Sequence, residues 1–179
     1  MKTTQILIAG FGGQGVLFAG KFLAYKGLKE DLQVSWLPSY GPEMRGGTAN
    51  CSVILSDTPV GSPIITDPDV LIAMNQPSLE KYIDTVVPGG QVYLDSSLIH
   101  YDMKRTDVQV FEIPATAMAK ENDMATLANM ILVGALLENH PELSFEGTDS
   151  VVSDLVPPKK AALIELNMKA LNMGKEYKE

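Results

Sequence analysis

A glycine-rich segment near the start of the chain has the residue types and spacing of a phosphate-binding turn. Gly10-Phe11-Gly12-Gly13-Gln14-Gly15 fits the pattern G-x-G-x-x-G, directly after the apolar run 6–9 and directly before a helical pattern. Glycines permit a tight turn and a close backbone approach, and N–H groups at a helix N-terminus attract an anion. The pattern therefore predicts an anion or nucleotide site, with a tight turn that binds no ligand as the alternative. The candidate ligand-binding residues are Gly10, Gly12, Gly13, Gln14 and Gly15.

The other half of a dinucleotide site is missing. An NAD site needs an Asp or Glu at the end of the second strand, about 20 residues beyond the glycines, to hold the ribose hydroxyls. Here the second predicted strand, 32–37, stops at Pro38 with no acid at its end. Glu30 and Asp31 precede that strand, and Glu43 lies beyond it in a loop. The missing acid therefore argues against an ordinary NAD dehydrogenase and disfavours a stand-alone flavin or nicotinamide oxidoreductase.

A second polar loop, residues 38–49, is dense in glycine and proline. Such loops often carry the functional side chains of a protein. Arg45 is flanked by Gly46 and Gly47, so its guanidinium can offer a planar fork of donors to a phosphate or a carboxylate. Arg45 can equally pair with Glu43 or with a neighbouring subunit. Both interpretations stay open.

Composition and charge exclude several classes of protein. Hydrophobic residues make up 45% of the 179 residues and charged residues 20%, which is typical of a globular chain. Twenty-two acidic residues against fourteen basic ones leave a net charge of -8, which argues against binding nucleic acid or an anionic membrane. The single cysteine, Cys51, excludes an internal disulfide and a self-contained iron–sulfur cluster, which needs about four thiolates. Because Cys51 lies in an apolar strand, we expect a small buried residue rather than a nucleophile.

Alternating strands and helices are needed to position the two loops. Apolar runs predict strands over 6–9, 32–37, 49–55, 70–74, 92–94 and 108–113. Helical patterns cover 14–28, 77–86, a short stretch from Ala115, 124–137, and the residues after Pro157-Pro158. This order is typical of an α/β, Rossmann-like single domain over 1–179, with a mainly parallel sheet and helices on both faces. The loops that follow the strands would gather at the carboxyl edge of the sheet, where such sheets bind ligands.

No segment has the pattern of a targeting or membrane-spanning sequence. The glycine loop interrupts the uncharged run 3–20, and the run 124–137 is shorter than the roughly 20 residues that a bilayer requires. We therefore predict a soluble, cytoplasmic protein. The 124–137 helix is predicted to lie in the core or to meet another subunit, and His100 and His140 are predicted to be solvated.

Taken together, the two loops resemble the gamma subunit, or gamma domain, of the 2-oxoacid:ferredoxin oxidoreductases. The likeness rests on residues 10–15 and 39–47 and extends over nearly the whole chain, with 120–128 less typical of the family. Further matches are Asn75-Gln76-Pro77-Ser78, Asp95-Ser96-Ser97, Ile113-Pro114-Ala115-Thr116, Asn129-Met130, Leu132, Gly134-Ala135-Leu136, Asn167, Ala170 and Gly174.

The resemblance implies a reaction and a division of labour. Enzymes of this family decarboxylate a 2-oxoacid on thiamine diphosphate, pass electrons through 4Fe–4S clusters to ferredoxin, and transfer the acyl group to coenzyme A. Thiamine diphosphate, its Mg ion and the clusters would belong to the alpha, beta and delta parts, and this chain would lie near coenzyme A. No catalytic or metal-binding residue is assigned to this chain. Its candidate cofactor-binding residues are those of the glycine loop with Tyr40, Glu43, Arg45, Gly46, Gly47 and Asn75.

The resemblance leaves the substrate open. 2-Oxoglutarate is the first expectation, because separate small gamma chains of this size resemble that subgroup. Pyruvate, branched-chain 2-oxoacid and indolepyruvate enzymes are the alternatives. The alternative function is a non-catalytic nucleotide-binding module that regulates a partner. As a gamma subunit, the isolated chain would be inactive and would work with alpha and beta subunits, with ferredoxin accepting the electrons.

Overall fold

Six strands pair into one sheet in this computed structural model, which describes residues 3–39, 48–102 and 104–178. The strands are β1 Thr3–Phe11, β2 Gln33–Ser39, β3 Thr48–Ser56, β4 Val70–Ala73, β5 Gln91–Asp95 and β6 Gln109–Ile113. Their order across the sheet is β2-β3-β1-β4-β5-β6. The pairs β1–β3 and β2–β3 are antiparallel and the other three are parallel, so β3 alone of the described strands is reversed. The other five strands all end at one edge, which we call the carboxyl edge.

Helices cover both faces of the sheet, unequally. They are α1 Val16–Lys29, α2 Gln76–Tyr82, α3 Ala115–Glu121, α4 Ala128–Asn139, α5 Thr148–Leu155 and α6 Ala162–Glu176, with 3₁₀ turns at Ile83–Thr85 and Pro158–Lys160. Because side chains alternate along a strand, β1 contributes to two cores. Ile6 and Ile8 pack with residues of α1, α3, α4, α5 and α6, whereas Leu7 packs with Leu79 of α2 on the other face. The predicted fold class, mainly parallel α/β with helices on both faces, is confirmed.

Three sequence-based predictions of the elements need correction. Pro38 does not end β2, which continues to Ser39; an edge strand tolerates proline because one side of its backbone needs no partner. The predicted 124–137 helix begins only at Ala128, since the backbone bonds of Met124 close the end of α3 instead. Helix α5 was not predicted, because its eight residues are too few to show a clear apolar period.

Helix α4 is buried in the interior of the protein. Every residue from Ala128 to Leu137 is buried, and α4 packs between the sheet and α6. Its contact with α6 is a backbone contact: a Cβ at Gly134 would come within 2.0 Å of Leu171 O, and a Cβ at Gly174 within 1.8 Å of Ile131 O. The core alternative for this helix is therefore confirmed, and the prediction that it meets another subunit is wrong.

Candidate functional site

The carboxyl edge contains the point at which the fold changes face. From β1 the chain crosses through α1 on the five-helix face, whereas from the neighbouring β4 it crosses through α2 on the opposite face. A crevice forms outside the sheet where two adjacent strands diverge in this way, and open α/β sheets bind their ligands there. We call it the switch crevice. The glycine loop after β1 and Asn75 after β4 border it, so the prediction that these loops share one edge is confirmed.

The glycine loop turns the chain sharply from β1 into α1. Gly13 and Gly15 have φ values of 92° and 76°, in the left-handed region that favours glycine. Helix α1 begins at Val16, and Gly15 at its N-cap has no side chain that could satisfy the N–H groups of the first turn. These N–H groups, together with the positive end of the helix dipole, lie at the carboxyl edge. This is an arrangement that binds anions.

The glycines of the loop are of two kinds. Gly12 and Gly13 are exposed, and no heavy atom of the described chain lies within 4 Å of the position of a Cβ at Gly13. Gly10 and Gly15 are closely packed. A Cβ at Gly10 would come within 2.7 Å of Gln14 Oε1, and one at Gly15 within 2.5 Å of Asn129 Nδ2. The loop therefore presents bare backbone outward while it is held tightly from within.

Two amide side chains join the glycine loop to the turn after β4. Gln14 Nε2 donates to Met74 O at 2.9 Å, and Gln14 Oε1 accepts from Phe11 N at 2.6 Å. Asn75 Nδ2 donates to the same Oε1 at 3.3 Å, and Asn75 Oδ1 caps α2 by accepting from Ser78 N at 2.9 Å. Asn75 is 3% exposed and Gln14 is half-buried. Both predicted site residues therefore lie at the switch crevice, with their amide groups bonded inside the chain.

Asn129 holds the other end of the glycine loop. It is the second residue of α4, is 2% exposed, and donates from Nδ2 to Gly15 O at 3.0 Å. Its Oδ1 is buried and has no partner within the described chain. The resemblance included Asn129 without a role. The signal in the sequence is a carboxamide in an otherwise apolar, uncharged run.

A buried carboxylate fixes the next two crossings of the same edge. Asp95 ends β5, is fully buried, and accepts from Ser97 N at 3.1 Å. It also accepts from Thr116, through N at 3.2 Å and through Oγ1 at 2.5 Å, at the start of α3. The turns after β5 and β6 are thus tied together as those after β1 and β4 are. The role of this carboxylate is therefore structural: its hydrogen bonds hold the two turns in place.

The remaining candidate residues, Tyr40, Glu43, Arg45, Gly46 and Gly47, lie outside the described residues. The residues that flank their loop are at the carboxyl edge: β2 ends at Ser39, and β3 begins at Thr48, which pairs with Phe11 of the glycine loop. The chain therefore leaves this loop at Thr48, next to the glycine loop, and enters it from the end of the edge strand β2.

The strand order gives a second reason against a dinucleotide site. The strand beside β1 is the reversed β3, so β2 is two strand spacings, about 10 Å, from β1. In a dinucleotide fold the strand adjacent to β1 carries the ribose-binding acid at its carboxyl end. In this chain the strand next to β1 is β3, which begins rather than ends at the carboxyl edge. The strand whose carboxyl end could present such an acid, β2, lies one strand further away.

The titratable side chains away from the edge have structural environments. Cys51 is fully buried, and burial raises the pKa of its thiol to about 11 against a smaller opposing effect of a hydrogen bond from Trp36. The prediction that it is a small buried residue is confirmed. His100 is exposed, as predicted, with Nε2 2.9 Å from Asp102 Oδ1.

His140 departs from its predicted solvated position. It is half-buried at the end of α4, at the edge opposite the switch crevice, and burial lowers the pKa of its imidazole. Within residues 3–39, 48–102 and 104–178, no three His, Cys, Asp or Glu side chains come together in a way that could hold a metal ion. In the same part of the chain no helix combines the length and apolar character needed to cross a bilayer.

Comparison with known proteins identifies the family. Residues 5–177 match the family described as pyruvate ferredoxin/flavodoxin oxidoreductase. The chain belongs to this family. The family recognised in the sequence is therefore confirmed, and the matched range includes residues 10–15 and 39–47.

Named relatives differ in substrate and in length. The chain is 37% identical to the ketoisovalerate oxidoreductase subunit VorA of Methanothermobacter thermautotrophicus over 177 residues, covering 97% of this chain and 36% of that protein. It is 34% identical to the 2-oxoglutarate synthase subunit KorC of Methanocaldococcus jannaschii, covering 96% of this chain and 92% of KorC. It is 28% identical to the indolepyruvate oxidoreductase subunit IorB of Pyrococcus horikoshii, covering 97% of this chain and 95% of IorB. The chain thus spans about a third of VorA and nearly all of KorC and IorB.

Solved structures show the same fold. The gamma subunit of a keto/oxoacid ferredoxin oxidoreductase from Geobacter sulfurreducens PCA matches with a TM-score of 0.81 and 31% identity, covering 97% of this chain and 96% of that one. The 2-oxoglutarate:ferredoxin oxidoreductase from Magnetococcus marinus, solved with 2-oxoglutarate, coenzyme A and succinyl-CoA bound, matches with a TM-score of 0.87 and 28% identity. There the match covers 98% of this chain and 31% of the other.

Proposed function

We propose that this chain is the gamma subunit of a thiamine diphosphate-dependent 2-oxoacid:ferredoxin oxidoreductase complex. The complex would decarboxylate a 2-oxoacid oxidatively, form the acyl-CoA and reduce ferredoxin. The observation that carries the proposal is the match over almost the whole chain to a solved gamma subunit, at 31% identity and a TM-score of 0.81. The family match and the relatives named as 2-oxoacid oxidoreductase subunits support it.

For the substrate we propose 2-oxoglutarate. KorC is a separate chain of nearly the same length as this one, whereas VorA is about three times as long. Ketoisovalerate and indolepyruvate are the competing substrates, because relatives named for them also match. The side chains that select the 2-oxoacid would lie largely on the partner subunits.

Alpha, beta and delta parts would carry thiamine diphosphate, Mg and the 4Fe–4S clusters. This assignment agrees with the single cysteine of this chain, which is fully buried. With the decarboxylating cofactor and the clusters on other chains, the isolated chain would not oxidise any 2-oxoacid. Its own part would be to contribute the carboxyl edge to the assembled site.

The carboxyl edge fits a phosphate group of coenzyme A, a cofactor whose thiol accepts the acyl group. Exposed Gly12 and Gly13 leave room for close approach, and the first-turn N–H groups of α1 have no side-chain cap. A phosphate group accepts from several such N–H groups and is stabilised by the helix dipole. The residues of the glycine loop would therefore bind and orient the anionic part of coenzyme A.

For Arg45 we propose a contact with an anion, either a coenzyme A phosphate or a carboxylate of the neighbouring catalytic subunit. A charge-assisted hydrogen bond contributes about 1.5–3 kcal/mol, so Arg45→Ala should weaken the affinity about tenfold or more. Arg45→Lys keeps the charge but not the fork, and should recover only part of the loss. A raised KM for coenzyme A in a normally assembled complex supports the cofactor contact, and failed assembly supports the subunit contact. Unchanged KM and assembly would refute both.

Copurification from the native source tests the function as a whole. We expect this chain to elute with larger subunits, thiamine diphosphate and iron, and the complex to reduce ferredoxin with a 2-oxoacid and coenzyme A. A panel of 2-oxoacids then identifies the substrate. A lone 19.4 kDa chain that binds a nucleotide would instead support the regulatory alternative. Turnover by the isolated chain would contradict the proposed division of labour.

A further inference from the structure

The switch crevice is bridged by side chains of this chain. Gln14 spans it from the glycine loop to Met74 O, and Asn75 donates to the same Gln14 side chain from the β4 side. These two residues, which we call the amide bridge, lie 61 positions apart in the sequence. The bridge continues to Phe11 N on one side and, through the α2 cap, to Ser78 N on the other. The turn that precedes α1 and the N-terminus of α2 are thus linked by consecutive hydrogen bonds.

Both carboxamides are engaged within the chain. Gln14 Oε1 accepts two hydrogen bonds and its Nε2 donates one, while each polar atom of Asn75 makes one. A ligand that recruited Gln14 Oε1 would displace Phe11 N and the buried Nδ2 of Asn75, and a buried donor left without an acceptor is costly. Asn75 is 3% exposed, so little of its side chain is available to a ligand. Direct ligation by either residue would break the bonds that shape the glycine loop.

We infer that Gln14 and Asn75 are positioning residues, which hold the N–H groups of the glycine loop and of α1 in place for an anionic ligand. This inference rests on the proposed function and specifies how the coenzyme A site is built. Preorganised donors bind an anion more tightly because the loop is already ordered before the ligand arrives. Loss of the bridge should therefore weaken binding of coenzyme A and leave the chemistry on the other subunits intact.

Two variants separate the bridge from other roles of these residues. Gln14→Met keeps the length of the side chain and removes all three of its hydrogen bonds. Asn75→Ser removes the donor to Gln14 but retains a good helix N-cap and adds no charge. Asn139→Ser is the matched control, because Asn139 is exposed, lies near the opposite edge, and among the described residues donates only to Ala135 O of its own helix.

In the assembled complex, Asn75→Ser should raise the KM for coenzyme A about three- to fivefold, and Gln14→Met about tenfold. The kcat and the KM for the 2-oxoacid should stay at wild-type values. Since Gln14→Met already removes the bond from Asn75, the double variant should equal Gln14→Met. Multiplying effects would instead indicate two independent ligand contacts and overturn the inference. So would an unchanged KM for coenzyme A in Asn75→Ser, even if Gln14→Met fails to assemble.

Amide hydrogen exchange gives a readout that does not depend on activity. Without ligand, the N–H groups of residues 10–15 should exchange faster in both bridge variants than in wild type or Asn139→Ser. Unchanged exchange would overturn the inference. Coenzyme A-dependent turnover by the wild-type complex is measured first, because its absence rejects the proposed function whatever the variants do.

Discussion

Glycine at the α4–α6 contact offers a sharp test of the packing that supports the site. Replacing Gly174 by alanine places a Cβ 1.8 Å from Ile131 O and 2.9 Å from Ala135 N. Both neighbours are backbone atoms of α4 and cannot rotate away. An ordinary C···O contact is about 3.3–3.6 Å, so the two helices must separate by about 1.5 Å.

The cost follows from three contributions. Overpacking of a dense core costs about 1–3 kcal/mol, and this case belongs at the upper end because backbone must move. Separation also forfeits dispersion contacts along the buried helix pair, for about 1 kcal/mol more. Alanine gains about 1 kcal/mol over glycine in helix propensity, which offsets part of the loss. The net expectation for Gly174→Ala is a free energy of unfolding lower by about 3 kcal/mol.

Urea and thermal unfolding of the purified chain measure this difference. For a chain of this size, about 3 kcal/mol corresponds to a Tm lower by about 6–12 °C. Gly27→Ala is the matched control, since it gains the same propensity in α1 but meets side-chain atoms, Leu55 Cδ2 at 2.6 Å and Val34 Cγ2 at 3.0 Å, rather than backbone. The double variant with Gly134→Ala should lose less than the sum of the two single variants, because the first substitution already separates the helices. Stability of Gly174→Ala within about 1 kcal/mol of Gly27→Ala would refute the close helix contact.

Three further predictions concern single residues. Cys51 is fully buried and its thiol pKa is raised to about 11, so at pH 8 it should react with iodoacetamide only as fast as the chain unfolds. The urea-denatured chain should react at once, and rapid labelling of the folded chain would contradict the burial. Asp31 follows α1 with a φ of 58°, which glycine adopts more readily, so Asp31→Gly should raise the free energy of unfolding by up to about 1 kcal/mol. Asp123, with a φ of 56°, is a parallel case, and a lower stability of either variant in urea would contradict this cap geometry. His140 has a lowered pKa, so near and below pH 6.5 the unfolded chain binds more protons than the folded chain. The free energy of unfolding should therefore fall on acidification more steeply in wild type than in His140→Gln, and equal slopes against pH would refute the assignment.

The fold class follows from the sequence because its signal is local. Each buried strand is a short apolar run, and each crossing begins with a turn residue or a helix cap such as Asn75. The direction of β3 was also encoded, though not in its apolar pattern. Eight residues separate Ser39 from Thr48, and a parallel crossing needs about a dozen or more. Loop length therefore predicts the antiparallel hairpin that composition alone does not.

Pairings between distant side chains could not be predicted in the same way. The sequence places Gln14 in a glycine loop and Asn75 before a helix, but nothing in their spacing shows that the two carboxamides meet. Likewise Gly134 and Gly174 are visible as glycines in helices, whose partners depend on the packing of α4 against α6. These contacts exist only once the fold brings the segments together, and the carboxamide contacts shape the glycine loop.

The reversed β3 connects two features of the sequence that otherwise look unrelated. One is the absence of an acid after the second strand, and the other is the loop that contains Arg45. Because β3 lies between β2 and β1, the place of a ribose-binding acid is taken by the start of β3, where Thr48 pairs with Phe11. The chain reaches that start directly from the loop with Arg45. One change in strand order thus removes the ribose contact and connects an arginine-containing loop to the strand that pairs with the glycine loop, which argues against a dinucleotide site.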